Sequence, residues 1–505
     1  MSTPAPDGPR RLLITLSVIA ATTLQALDNT IANVALPRIQ GSLSATQDQM
    51  AWVLTSYIIA AAIMTPLSGW LAGRVGRKRV FLVSVAGFTA ASMLCGLAQS
   101  LPQIVAARLL QGLCGAALVP LSQAVLLDIN PPERQPRAMS VWAMAATLGP
   151  IMGPALGGWL TENYNWRWVF YINVPFGILA FLGILTTLPD SPIRKSRFDF
   201  FGFTALSAGI GALQLLLDRG QLKDWFGSPE IWIEATVAAV AIYLFVVHML
   251  TTTQQQFVNP ALFKDRNFIA GNFFIFVVGV VMFATLALLP PMLQDLMNYP
   301  VVTTGLVTAP RGVGSLIAMF IAPKLLGKVD SRLLIGSGLA LTAFSAWQMT
   351  GFDLQMDSST VVWSGLAQGI GVGFVYMPVA ATTFATLTSG LRNEGTAIFS
   401  LMRNLGSSVG ISVVIALLTR NTQIAHAALA AHVTPFHSAL HGFAGGAPGT
   451  RTLTALNATV TQQAAMIAYN DDFKLLLMLS LASIPLVFLL RTGGNSRPVE
   501  PVAME

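Results

Sequence analysis

The chain has 505 residues, of which 54% are hydrophobic and only 10% are Asp, Glu, Lys or Arg, with a formal net charge of +7. Soluble domains carry about 25% charged residues, so this composition excludes a soluble enzyme, a disordered chain and a coiled coil. With a mean hydropathy of +0.64, what remains is a polytopic membrane protein whose apolar exterior faces lipid tails.

A transmembrane helix needs about 20 mostly apolar residues, so the chain divides wherever charges and turn residues cluster. The division predicts fourteen spans: 12–36, 50–72, 80–98, 104–127, 139–160, 169–188, 200–217, 231–250, 268–289, 305–326, 333–350, 361–383, 395–418 and 473–490. The first is too long for a signal-peptide core and is read as a retained span. Nineteen of the 29 Lys and Arg fall in connections on one side and seven on the other, which by the positive-inside bias puts both termini in the cytoplasm. Cys95 and Cys114 lie within apolar runs and are read as small buried hydrophobes.

Gln111-Gly112-Leu113-Cys114-Gly115 in the fourth span is echoed by Gln368-Gly369-Ile370-Gly371-Val372-Gly373 in the twelfth, at an offset of 257 residues and in the same direction through the membrane. That suggests parallel repeats. The expected organisation is a six-helix bundle over 1–198, two additional helices and a linker over 199–266, and a second six-helix bundle over 267–505 carrying a long external loop at 421–470.

Within the spans, Asp28 is the one acid deep in the first, and a carboxylate in hydrocarbon costs at least about 2.5 kcal/mol. Desolvation disfavours its charged form and a nearby cation favours it, so an Asp beside an Arg can load and release a proton; a permanently paired structural acid is the alternative. Arg108 lies about 8 Å below the outer start of its span and Asp28 about 12 Å below the outer end of its own, depths compatible with contact. Arg311 and Arg403 are further cations inside spans. Either they bond backbone carbonyls or they line an electropositive interior that tolerates anionic or weakly acidic cargo.

The fifth span carries Gly149-Pro150-Ile151-Met152-Gly153-Pro154-Ala155-Leu156-Gly157-Gly158. Glycines four residues apart permit close helix contact, and Pro154 removes a backbone hydrogen bond and invites a bend. Between the second and third spans, the short segment from Gly69 to Arg79 holds Arg74, Arg77, Lys78 and Arg79, with Gly73 and Gly76 framing a tight turn where cations can latch the cytoplasmic face.

Together these elements resemble the major facilitator superfamily, specifically its fourteen-helix drug:proton antiporter branch, over nearly the whole chain. Leu27-Asp28-Asn29-Thr30-Ile31-Ala32-Asn33-Val34-Ala35-Leu36-Pro37 looks like that branch's first-helix signature, and Gly69 to Arg79 like the superfamily's loop between helices two and three. Arg108 with Gln111-Gly112 matches the fourth-helix motif, and Gly149 to Gly158 the fifth-helix antiporter motif. Leu217-Asp218-Arg219-Gly220, Asp224-Trp225-Phe226 and Leu262-Phe263-Lys264 look most like EmrB-type exporters. Gly73 departs from the pattern where many members have Asp.

The resemblance implies an all-α major facilitator fold with proton coupling at Asp28 and Arg108. It marks Asn33 and Gln111 as motif or substrate-path residues beside Arg311 and Arg403, and Gly69, Arg74, Gly76, Arg77, Gly149, Gly153, Pro154, Gly157 and Gly158 as conformational motifs. It further implies export of lipophilic, weakly acidic compounds across a bacterial inner membrane, with no cofactor beyond the proton gradient, alongside a periplasmic adaptor and an outer-membrane channel. A dedicated exporter of a metabolite such as a fatty acid or siderophore is the alternative. His426, His432, His437 and His441 fall in 421–470, but without a nearby Cys or acid they complete no metal site, and a partner-contact surface competes there with a plain solvated loop. No phosphate-binding loop, nucleophile–base pair or repeated filter is present, which argues against a primary pump, a membrane enzyme and a channel; nor is nucleic acid an expected partner.

Overall fold

A computed structural model describes residues 8–131, 133–191, 193, 198–252, 256–326, 328–388, 390–433 and 450–491. Among them the chain is helical throughout, with an isolated bridge between Leu326 and Val329 in place of any sheet. That is what a lipid environment imposes, because a helix satisfies its backbone groups within one segment.

The first half comprises α1 (Gly8–Leu43), α2 (Gln47–Val75), α3 (Arg77–Leu97), α4 (Leu101–Gly115), α5 (Leu118–Ile129), α6 (Gln135–Asn163), α7 (Trp168–Tyr171) and α8 (Asn173–Thr187). Here α4 with α5, and α7 with α8, each form one interrupted passage. The additional pair is α9 (Phe200–Arg219) and α10 (Pro229–Thr251). The second half comprises α11 (Arg266–Pro291), α12 (Val301–Leu325), α13 (Ser331–Met349), α14 (Ser358–Ala385), α15 (Arg392–His432) and α16 (Thr450–Ser483). Twelve described segments are long and apolar enough to cross a membrane by themselves. The less apolar α6 and α13 pack among them and complete the fourteen passages.

The halves repeat one packing scheme. Glycines of α6 press on α1, with Gly149 against Ala26, Gly153 against Thr30 and Gly157 against Ile31; Gly406 and Gly410 of α15 press likewise on Phe276 and Val280 of α11. Gly112 of α4 abuts the Tyr57 carbonyl of α2, and Gly369 of α14 abuts the Arg311 carbonyl of α12. The 257-residue echo is therefore an echo of backbone contacts.

The apolar core shows how the halves meet. One cluster runs through both halves near the face carrying the basic loops, joining Ile14, Phe88, Leu121 and Trp142 to Phe274, Met319, Val375 and Phe399. Towards the opposite face the core splits, Ile31, Ile104 and Phe170 belonging to a cluster of the first half alone and Leu288, Met349 and Phe473 to one of the second. The bundle is sealed at the basic face and parted at the other. Helix α9 lies along the seam: its Gly211 nears Ile63 of α2, and its Leu217 carbonyl accepts from Ser412 of α15 at 2.7 Å.

The long loop expected over 421–470 is largely helix. α15 continues to His432 and α16 begins at Thr450, joined by a His426–Asn457 contact of 3.1 Å. Residues 421–432 and 450–470 contain no Gly or Pro to break a helix, and five of the twelve residues in 421–432 are Ala, the strongest helix former, although both stretches are too polar to read as a span.

Candidate functional site

Asp28 and Arg108 are fully enclosed, at 0% and 1% exposure. Arg108 Nη1 donates to Asp28 Oδ2 at 2.7 Å and to Gln111 Oε1 at 2.8 Å, while its Nε donates to the Val53 carbonyl at 3.2 Å. Residues 108 and 111, three apart on α4, share a helix face, which lets one helix supply both. Asp28 Oδ1 accepts from Gln111 Nε2 at 2.9 Å and from Asn173 Nδ2 at 2.8 Å. Asn173 also bonds Ser92 Oγ at 2.9 Å, which donates to the Phe170 carbonyl at 2.9 Å. The guanidinium lies over the Tyr57 ring at 4.4 Å and nears Phe170 at 5.8 Å.

Two helices, α4 and α8, thus present a cation and donors to the one carboxylate of α1, and α2 and α3 brace those donors through Val53, Tyr57 and Ser92, the arrangement that makes a buried charge tolerable. Protonation of Asp28 would cancel the attraction to Arg108 and turn one acceptor into a donor facing donors. The arrangement can therefore exist tightly bonded or loosened, according to a single proton.

Asn33 is not part of this network. It is exposed, five residues on from Asp28 and so about 140° around α1. Gly149, Gly153 and Gly157 provide the close α1–α6 approach, Thr30 Oγ1 donating to the Gly149 carbonyl at 2.9 Å. At Gly158 an added Cβ would make only ordinary contact with Val34, at 3.9 Å, so that glycine is not sterically required. α6 continues through Pro154, whose side chain lies outside the described residues.

At the basic face, Gly69 of α2 approaches the second half, an added Cβ lying 3.0 Å from the Asn393 carbonyl oxygen. Gly76 has φ +99°, a conformation that favours glycine. Arg77 bonds Asp128 at 2.6 Å and Asn393 at 3.1 Å, and Arg392 reaches the other oxygen of Asp128 at 2.7 Å. Arg74 lies in the last turn of α2. Asp128, at the end of α5, thus supplies the acid that Gly73 does not, and it bridges a cation from each half.

Arg311 and Arg403 carry no carboxylate among the described ion pairs. Arg311 donates to the Met282 carbonyl at 2.6 Å, and Arg403 to the Tyr376 hydroxyl at 3.2 Å and to Asn404 at 3.4 Å. Tyr376 stacks on Trp142 across the seam with centroids 6.1 Å apart. His248 binds both oxygens of Asp199, at 3.0 and 2.9 Å. The described residues contain no cluster of three or more His, Cys, Asp or Glu able to hold a metal, and His437 and His441 lie outside them.

This fold and enclosed carboxylate are those of a transporter: residues 18–411 match the Major Facilitator Superfamily, and the chain belongs to it. The fatty acid resistance protein FarB of Neisseria gonorrhoeae is 36% identical, covering 98% of this chain and 99% of its own. The multidrug export protein EmrB of Escherichia coli K12 is 36% identical, covering 92% and 93%. Among solved structures, the human organic anion transporter MFSD10 (TETRAN) shares the fold with a TM-score of 0.62 at 13% identity, covering 94% of this chain and all of that one.

Proposed function

We propose that the chain is a proton-coupled multidrug efflux antiporter of a bacterial inner membrane, exporting lipophilic, weakly acidic compounds, with both termini and the basic face in the cytoplasm. The observation that carries the reading is the fully enclosed Asp28 held by Arg108, Gln111 and Asn173. The EmrB relatives, multidrug export proteins by name, supply its direction, export of drugs.

The parted form opens towards the outer side and is latched at the cytoplasmic side; Asp28, enclosed in this form, takes its proton from outside as cargo leaves and its cover loosens. Protonation slackens the hold on α4 and α8. Closure of the outer side and release of the latch then expose Asp28 to the cytoplasm, where the proton departs and cargo binds. Two inward-lying cations, Arg311 and Arg403, without acidic partners among the described ion pairs, favour cargo that brings negative charge. The protein needs no cofactor and catalyses no covalent reaction. Its partners are the bilayer, its small substrates, and a periplasmic adaptor leading to an outer-membrane channel. The FarB relative supports a second reading, a dedicated exporter of fatty acids.

The test is uptake of anilinonaphthalene sulfonate, oleate and a panel of lipophilic antibiotics into everted vesicles. Uphill uptake that collapses when the pH gradient is dissipated is expected. Uptake that persists without a gradient overturns the coupling, and uptake confined to oleate favours the second reading.

A further inference from the structure

The extra pair of helices carries an acid that the Asp28 network does not use. Asp218 lies in the last turn of α9, where α9 meets α2 and α15. Its Oδ1 accepts from Gln214 Nε2 at 3.0 Å, and the same Gln214 nitrogen donates to Ser408 Oγ of α15 at 2.8 Å. Its Oδ2 is buried and makes no well-formed hydrogen bond, with Thr55 of α2 as its side-chain neighbour. Thr55 of α2 sits beside the carboxyl, two residues from the Val53 carbonyl that holds Arg108. The next residue, Arg219, stacks on Trp52 of α2 at 5.0 Å.

A polar chain therefore crosses the seam from α2 through Asp218 and Gln214 to α15, on the side where the apolar core has parted. Other charges nearby are engaged elsewhere. Glu230 and Glu234 of α10 pair with Arg219, and Lys223 pairs with Glu230. α2 contributes Trp52 and Thr55, which carry no charge, and α15 contributes Ser408 and Ser412; its Arg403 is bonded to Tyr376 and Asn404. Burying a carboxylate that has no ion pair among the described residues is costly, and a bound proton removes that cost while Thr55 and Gln214 hold the neutral carboxyl.

We propose that Asp218 is a second proton-binding site, loaded from the outer side in the parted form and emptied when the seam rearranges, so that α9 straps a titrating group to both moving halves. This rests on the antiport reading and deepens it: two protons enter per cycle, one at Asp28 and one at Asp218. No further reactant is needed, since each carboxylate gains a proton on one side and releases it on the other.

The experiment has two arms. In purified, reconstituted protein a fixed pH step drives anilinonaphthalene sulfonate to a steady gradient, and each coupled proton multiplies that gradient about tenfold per pH unit. Asp218→Asn should lower the sustainable gradient by about tenfold per unit, and Asp218→Glu should restore it. In detergent, difference infrared spectroscopy across a pH step should show a buried-carboxyl band in Asp28→Asn, where Asp218 is the remaining site, that disappears when Asp218→Asn is added; this arm reads the site even in a variant that does not transport. If Asp218→Asn keeps the wild-type gradient, and the band persists when it is added to Asp28→Asn, the second site is wrong. If wild type builds no gradient, or Asp28→Asn builds all of it, the antiport reading fails instead.

Discussion

Asp28 illustrates how much one proton can decide when a carboxylate is enclosed by donors. Asp28→Asn keeps shape and polarity but cannot cycle a proton, so it should insert normally and abolish gradient-driven export, while Asp28→Glu should retain part of it; initial rates in everted vesicles check both. Arg108→Lys keeps the charge but loses the planar fork and should be partly defective. Arg108→Ala strands a buried charge at a cost of about 3–5 kcal/mol, to be read as a lowered thermal midpoint together with lost transport. Asn173→Ala removes one of the two donors to Asp28 Oδ1 and leaves the Arg108 contact in place, so it should slow transport less than Arg108→Ala in the same vesicle assay. Asp28, Arg108 and Gln111 were legible in the sequence because charge and polarity inside apolar spans stand out. Asn173 and Tyr57 were not, since a neutral polar residue at a span end and an aromatic within one are ordinary there until the fold brings them to Asp28. Asp128 was equally hidden among the usual interfacial charges.

For the elements, the α1–α6 contact is the one most sensitive to added volume. An extra side chain at Gly153 would run into Thr30, and at Gly157 into Ile31, at a cost of about 1–3 kcal/mol if the helices yield. Gly157→Leu should therefore cut turnover more than binding affinity, measured together on reconstituted protein, whereas Gly158→Ala should be close to silent. At the basic face, Asp199 caps α9: burial pushes its carboxyl up, but N–H bonds from Gly202 and Phe257 and the His248 contact outweigh that and hold it below the usual carboxylate range. A lowered folded-state value means that the stabilisation is present above the ordinary range and is lost as pH falls through it. The gap in thermal midpoint between wild type and Asp199→Asn should accordingly shrink in acid. Spans and their order could be read from apolar runs together with the charges and turn residues that divide them, which also place the less apolar α6 and α13. The helix at 421–432 and 450–470 could not, because a criterion built on apolarity is blind to polar helix.

For the whole molecule, the unbroken core at one face and the split core at the other leave Asp128 as the charged clasp of the closed side. Asp128→Asn should loosen that clasp, seen as faster labelling of a cysteine placed at Ser140, inside the sealed region, with insertion unchanged. α15 runs without interruption from this clasp to His432, 41 residues or about 60 Å. A rod of that length is a lever. Each degree by which it tilts about its clasped end displaces the far end by about 1 Å, so a small release at the clasp becomes a wide stroke well beyond the bilayer, and paired spectroscopic labels near His426 should report the transport cycle with far greater amplitude than labels near Arg392.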